Sequence, residues 1–153
     1  MYPLTLPAIV FCFGLLAAAA PGAQVPPPAD RATPTDALRR VVDDYVRLYR
    51  HDSLSEWKAL FLPTFTSTSP RADGGVTVRT LDEFYEAQAR GFARATTMSE
   101  TLENVAIQQS GRLATAWAGF VFHQDGTSRR GRLVLTLVDS GAGWRIASLL
   151  FSY

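Results

Sequence analysis

The chain has 153 residues, a formal net charge of +1, 47% hydrophobic residues and 19% charged ones. That balance excludes a disordered chain, and so small a charge gives no electrostatic basis for binding nucleic acid or an anionic membrane surface. Setting aside an apolar leader and a Pro-rich stretch leaves roughly 120 residues, enough for one domain with its own core.

From Leu4 to Ala20 the sequence carries no charge. The run Ala8-Ile-Val-Phe-Cys-Phe-Gly-Leu-Leu-Ala17, followed by small residues through Ala20 and Ala23, has the form of a secretory apolar region and cleavage site. Residues 1–23 are therefore expected to be a signal peptide, and the mature protein to be exported, periplasmic or secreted. A retained anchor needs about 20 apolar residues, which this run reaches only with Pro7 and Gly14 counted in, so no stable membrane insertion is expected after cleavage. Cys12 is the only cysteine. It lies in the leader without a small residue before it, which argues against lipidation and leaves the mature chain without a thiol. Intact-mass measurement of envelope material should find a chain beginning between residues 20 and 26. A protein retaining Met1 or Tyr2 refutes export.

Pro21 to Pro34 holds five prolines and almost no large apolar side chain, so residues 24–34 read as a tether and residues 35–153 as the folded domain. After Thr35 or Asp36 as N-cap, Leu38, Val41, Val42, Tyr45 and Tyr49 recur at helical spacing, which predicts an amphipathic helix of about four turns. Ser53-Leu-Ser-Glu56 has the capping-box pattern and opens a short helix with the stripe Leu54, Trp57, Leu60 and Phe61, ended by Pro63. Phe65–Ser69 and Val76–Arg79 are β-prone and separated by a turn signal. A second capping box, Thr80-Leu-Asp-Glu83, opens a helix to about Phe92 whose inner stripe is Leu81, Phe84, Tyr85, Gln88 and Phe92. Four long strands are expected near 100–109, 112–124, 130–139 and 143–152, with reversals at Asp125-Gly126 and Ser140–Gly143.

Along the second long strand neither face is polar. Leu113, Thr115, Trp117, Gly119 and Val121 alternate with Ala114, Ala116, Ala118, Phe120 and Phe122, and Leu133–Val138 repeats the pattern. A sheet apolar on both sides wants a second cover, and a homodimer through the outer face is the expected one.

The order of elements, the stretch Ala116-Trp-Ala-Gly-Phe-Val-Phe-His-Gln-Asp-Gly126 and the ending in which Gly143-Trp144-Arg145-Ile146 runs into a last apolar strand resemble the nuclear-transport-factor-2-like (NTF2-like) superfamily. The resemblance is to its SnoaL-like and lumazine-binding branches and covers roughly Asp36 to Tyr153. It implies an α+β cone, with a curved antiparallel sheet packed against three N-terminal helices, a pocket between them, and commonly a homodimer. The functions it implies run from ketosteroid isomerisation, polyketide cyclisation and dehydration to simple ligand binding, and the fold does not choose among them. Lumazine-binding members often carry His-Cys-Gly where this chain has Arg130-Gly131-Arg132, so no ligand is carried over from that branch.

An isomerase or dehydratase needs an acid or base inside the pocket. Asp43 and Asp44 lie off the apolar stripe of the first helix, and Asp82, Glu83 and Glu86 off that of the third. Glu100 and Glu103 read as solubilising charges on an edge strand. No pocket carboxylate is therefore expected, and His123, beside a turn, is the best alternative catalytic candidate. His51 falls in a loop. Two histidines and no mature cysteine offer no metal-ligand spacing, and no nucleophile elbow, phosphate loop or cofactor motif is present. Arg129, Arg130 and Arg132 read as a solvated strand end, with anion binding as the alternative. Tyr45, Tyr49, Trp57, Tyr85, Gln88, Trp117 and His123 form the expected ligand-binding set, although the same aromatic stripes would serve a filled core. Gln88 discriminates, because an amide on an apolar stripe must find a partner or cost about 1–3 kcal/mol. The resulting expectation is an exported module binding a small apolar molecule without chemistry. The alternatives are an isomerase, dehydratase or cyclase, and a structural homodimer with no ligand.

Overall fold

The computed structural model describes residues 34–153, so the expected signal peptide and all but the last residue of the tether lie outside the described residues. Helix α1 (Asp36–Arg47) starts where Thr35 Oγ1 accepts a hydrogen bond from Leu38 N at 3.3 Å, and it buries Leu38, Val42 and Tyr45. It is shorter than expected. Tyr49 N turns back to Val46 O at 3.2 Å, placing Tyr49 beyond the helix end.

A 3₁₀ turn (His51–Ser53) leads into α2 (Leu54–Lys58). The capping box expected at Ser53 is not formed: Asp52 and Arg50 take the hydroxyl, which donates to Asp52 Oδ1 at 3.0 Å and accepts from Arg50 Nε at 3.4 Å. Nor does Pro63 end the helix. Strand β1 (Phe61–Pro70) runs through it, because pairing with the last strand is interrupted between Phe61 and Thr66 and pairing with the second begins only at Thr66, so the N–H that proline lacks is not needed there.

Strand β2 (Val76–Thr80) passes directly into α3 (Leu81–Arg94). Here the capping box forms: Glu83 N donates to Thr80 Oγ1 at 3.4 Å, and Thr80 N and Oγ1 donate to Glu83 Oε2 at 2.8 and 3.0 Å, holding the Glu83 carboxyl below its usual pKa. Strands β3 (Met98–Ser110), β4 (Leu113–Gln124), β5 (Thr127–Asp139) and β6 (Trp144–Ser152) follow. Asp125 and Gly126, at φ 49° and 80°, make the tight β4–β5 hairpin.

The curved, unclosed sheet has the order β2-β1-β6-β5-β4-β3. It is mixed rather than purely antiparallel, since β1 and β6 run parallel while every other neighbouring pair is antiparallel. Its inner face carries Ala114, Ala116, Ala118, Phe120 and Phe122 of β4 with Leu133, Leu135 and Leu137 of β5, all buried with the apolar faces of the helices. Gly131 leaves space for the Phe120 ring: a Cβ there would stand 2.4 Å from Phe120 Cζ and 2.3 Å from Ser152 O. On the outer face, register aligns Trp117, Val134, Leu150, Thr68 and Val78 in one row across five strands. Among the described residues no helix is long and apolar enough to cross a membrane.

Candidate functional site

Between the helices and the inner face of the sheet lies a cavity of about 210 Å³. Its chemistry centres on Glu100. Pairing of β3 with β4 sets Met98, Glu100 and Leu102 opposite Gln124, Phe122 and Phe120, which turns all three toward the inner face. The carboxyl is thereby carried in among aromatic side chains. Its Oε1 is buried and makes no hydrogen bond among the described residues. Burial pushes the Glu100 pKa up from the carboxylate range to about 7, and the Tyr45 phenol beside it restrains the rise. This corrects the reading of Glu100 as an edge-strand charge: β3 is indeed an edge, but Glu100 faces the interior of the domain.

Three phenols line the cavity, those of Tyr45, Tyr49 and Tyr153. Tyr45 is held well above the usual tyrosine pKa by burial first and the neighbouring Glu100 charge second, and Tyr49 is raised by the same two causes in the same order. The Tyr49 hydroxyl donates to Gln88 Oε1 at 2.5 Å, so the amide on the α3 stripe has the partner it required. Trp57 is 0% exposed. Its Nε1 donates to Tyr45 O at 2.8 Å, one of the last-turn carbonyls that α1 leaves without a helical donor, and its ring packs on Phe61 at 4.7 Å between centroids. It is a wall of the cavity and a member of the core at once.

Thus Tyr45, Tyr49, Trp57 and Gln88 meet at one cavity, and the other three expected residues do not join them. Tyr85 is half-buried away from the cavity, its ring covered by Lys58 Nζ at 4.7 Å. Trp117 is 55% exposed on the outer face. His123 lies near the end of the same outer face, where Nδ1 hydrogen-bonds Ser128 Oγ at 2.8 Å, away from the inner cavity. His51 stacks edge-on near Phe92 at 6.3 Å. Among the described residues no group of three His, Cys, Asp or Glu side chains is placed to hold a metal ion.

At the cavity mouth, the Arg129 guanidinium carbon sits 4.3 Å from the Tyr153 ring centroid and 5.5 Å from that of Phe122. A larger open groove of about 910 Å³ runs over the outer face past Trp117, Val134 and Leu150. Its lining carboxylate, Glu103, is spent on Arg130 at 2.7 Å, so the group suited to proton transfer belongs to the smaller, inner cavity.

A sequence-family profile described as SnoaL-like domain matches residues 38–153. Comparison with curated proteins gives no match. Among solved structures, a candidate dehydratase of the NTF2-like family from Streptomyces avermitilis superposes with a TM-score of 0.62 at 12% identity, covering 76% of this chain and 92% of that one. A candidate aromatic ring hydroxylase from Novosphingobium aromaticivorans gives 0.63 at 16% identity, covering 76% and 86%. An NTF2-like protein with a cystatin-like fold from the same organism gives 0.60 at 15%, covering 76% and 79%. Identities this low speak for a shared fold and nothing finer.

Proposed function

The chain belongs to the SnoaL-like domain family and has its NTF2-like fold, and from that premise we propose that it is a small-molecule acid–base enzyme of the isomerase, dehydratase or cyclase type. The observation that carries the reading is the Glu100 carboxyl, buried beside Tyr45 with its Oε1 unbonded among the described residues, inside a cavity that also presents phenol and amide groups. In its ionised form Glu100 takes a proton from a carbon next to a carbonyl, Tyr45 donates a hydrogen bond to the oxygen on which charge develops, and Glu100 then returns the proton to the same or a conjugated carbon. Tyr49 and Gln88 fix one another by their mutual bond and limit where the ligand oxygen can sit. The cavity is below the roughly 300–1,000 Å³ of sites for drug-sized ligands, which favours a substrate of about one ring.

This places the catalytic reading above the non-catalytic one. A filled-core structural dimer leaves both the cavity and the orientation of Glu100 without a purpose. The test is exchange of α-hydrogens for deuterium, followed by NMR, in a panel of small cyclic ketones and enones together with double-bond isomerisation of the β,γ-unsaturated members. Binding without any exchange would return the protein to the class of ligand carriers.

We also propose that the protein is exported and works as a homodimer through the outer sheet face. Support for the dimer is the transverse row in which Trp117 is 55%, Leu150 48% and Val78 57% exposed, an apolar stripe with polar Thr115, Thr136 and Ser148 beside it. Light scattering of the mature domain should give about twice the monomer mass, and Trp117→Glu, which puts a charge at the centre of the stripe, should give the monomer. A wild-type protein that stays monomeric at micromolar concentration rules this interface out.

A further inference from the structure

Among the described residues, Arg129 is the one basic side chain lining the inner cavity. Its neighbour in sequence, Arg130, has its charge matched. Arg130, on the opposite face of β5, forms two bonds with the Glu103 carboxylate at 2.9 and 2.7 Å. Arg129 has no carboxylate within ion-pair distance and uses none of its donors in a hydrogen bond among the described residues. It does not serve as counter-ion to Glu100 either, whose environment is set by burial and Tyr45. What holds it is the pair of aromatic rings, Tyr153 at 4.3 Å and Phe122 at 5.5 Å, and a guanidinium lying against ring faces keeps its in-plane N–H edges free. The side chain thus lies against two rings, with a planar fork of donors at the mouth of a cavity whose apolar lining includes Phe120, Phe122, Leu133 and Leu149.

From this geometry we infer that Arg129 anchors an anionic end of the ligand: the site takes a small monocarboxylate, its carboxylate forked by the Arg129 guanidinium at the mouth and its apolar, ring-sized body inside toward Glu100. One arginine without a second cation beside it suits a single negative charge better than a phosphate dianion. The inference rests on the inner cavity being the ligand site, as proposed above, and adds the class of molecule that fills it. It makes the substrate a carboxylic acid with a carbonyl or double bond in its body rather than a neutral ketone.

Isothermal titration of the mature protein with benzoate and with benzamide, which differ in charge and hardly in shape, tests this without requiring turnover. Benzoate should bind roughly 10–100-fold tighter, the increment of a charged fork over a neutral contact. Arg129→Gln should remove that preference and leave benzamide affinity unchanged, and Arg129→Lys, which keeps the charge and loses the fork, should retain part of it. Equal binding of the two probes to the wild type overturns the anion anchor while leaving the cavity as a ligand site. A preference that survives Arg129→Gln assigns the anion to another cation and also overturns it. Loss of both probes in the Gln variant means that Arg129 only shapes the mouth through Tyr153. If neither probe binds the wild type, the carboxylate class is wrong, and the deuterium-exchange panel of neutral ketones decides separately whether the cavity is a site at all.

Discussion

Glu100→Gln is expected to lower the rate of proton exchange by about 10²–10⁴-fold, the usual contribution of a positioned general base, while the protein becomes more stable above neutral pH. Both effects follow from one placement. The carboxyl is buried with its pKa raised from 4.5 to about 7. Between those values the unfolded chain releases the proton and the native state keeps it, so the native state binds more protons and unfolding becomes easier as pH rises through this window. The loss is complete once pH passes the native value near 7, and a shift of that size corresponds to a penalty on the order of 3 kcal/mol. Glutamine carries no charge to desolvate, so the variant escapes the penalty. Activity runs the other way, because only the ionised carboxyl accepts a proton: wild-type exchange should rise with pH and level off above about 7. Urea unfolding of both proteins at pH 5 and pH 8, with exchange measured alongside, checks the pair. A variant that keeps exchange within twofold, or two proteins whose stability responds identically to pH, removes Glu100 from the mechanism.

The helical part of this arrangement was legible because helices repeat locally. Leu38, Val42 and Tyr45 recur on one side of α1, and Thr80 and Glu83 carry the complete signal for the start of α3. Ser53 carries the same pattern and fails, since a competing Asp52 and Arg50 sit within reach of its hydroxyl. The strands were harder for a different reason. Alternation sorts β4 into two sets of residues, but with both sets apolar it does not say which set meets the helices, and Trp117, expected at the cavity, stands on the outer face. Glu100 could have been found from Met98 and Leu102, its partners on one face of β3. Their pattern is broken by the bulge around Asn104, at φ 53°, which inserts an extra residue and brings Ile107 to the inner face although it stands an odd number of positions from Leu102. The parallel pairing of β1 with β6 joins segments some eighty residues apart, such as Phe61 with Ile146, and leaves no local trace in either.

Trp57→Ala is expected to destabilise the domain by about 3–5 kcal/mol, the range for removing a fully buried aromatic side chain from a core. The size follows from three roles held by one indole. Its ring is 0% exposed and packs against Tyr45, Tyr49, Phe61 and Phe84 at centroid distances of 5.8, 5.2, 4.7 and 5.6 Å, so alanine leaves a void bounded by four other rings. Its Nε1 satisfies Tyr45 O at 2.8 Å, and without it a buried carbonyl at the end of α1 loses its donor. Tyr45 and Tyr49, released from the indole, are two of the three phenols of the inner cavity, so the same change should blur the site. Trp57→Phe separates the roles, since it keeps most of the packing and deletes the hydrogen bond; it should cost about 1–3 kcal/mol, the penalty of one unsatisfied buried group. Denaturant unfolding of the three proteins gives the ordering wild type, Phe, Ala. If Trp57→Ala unfolds at the wild-type midpoint and only ligand affinity changes, Trp57 is a replaceable lining of a larger cavity, and α1 and α2 are held together by something other than this cluster of rings.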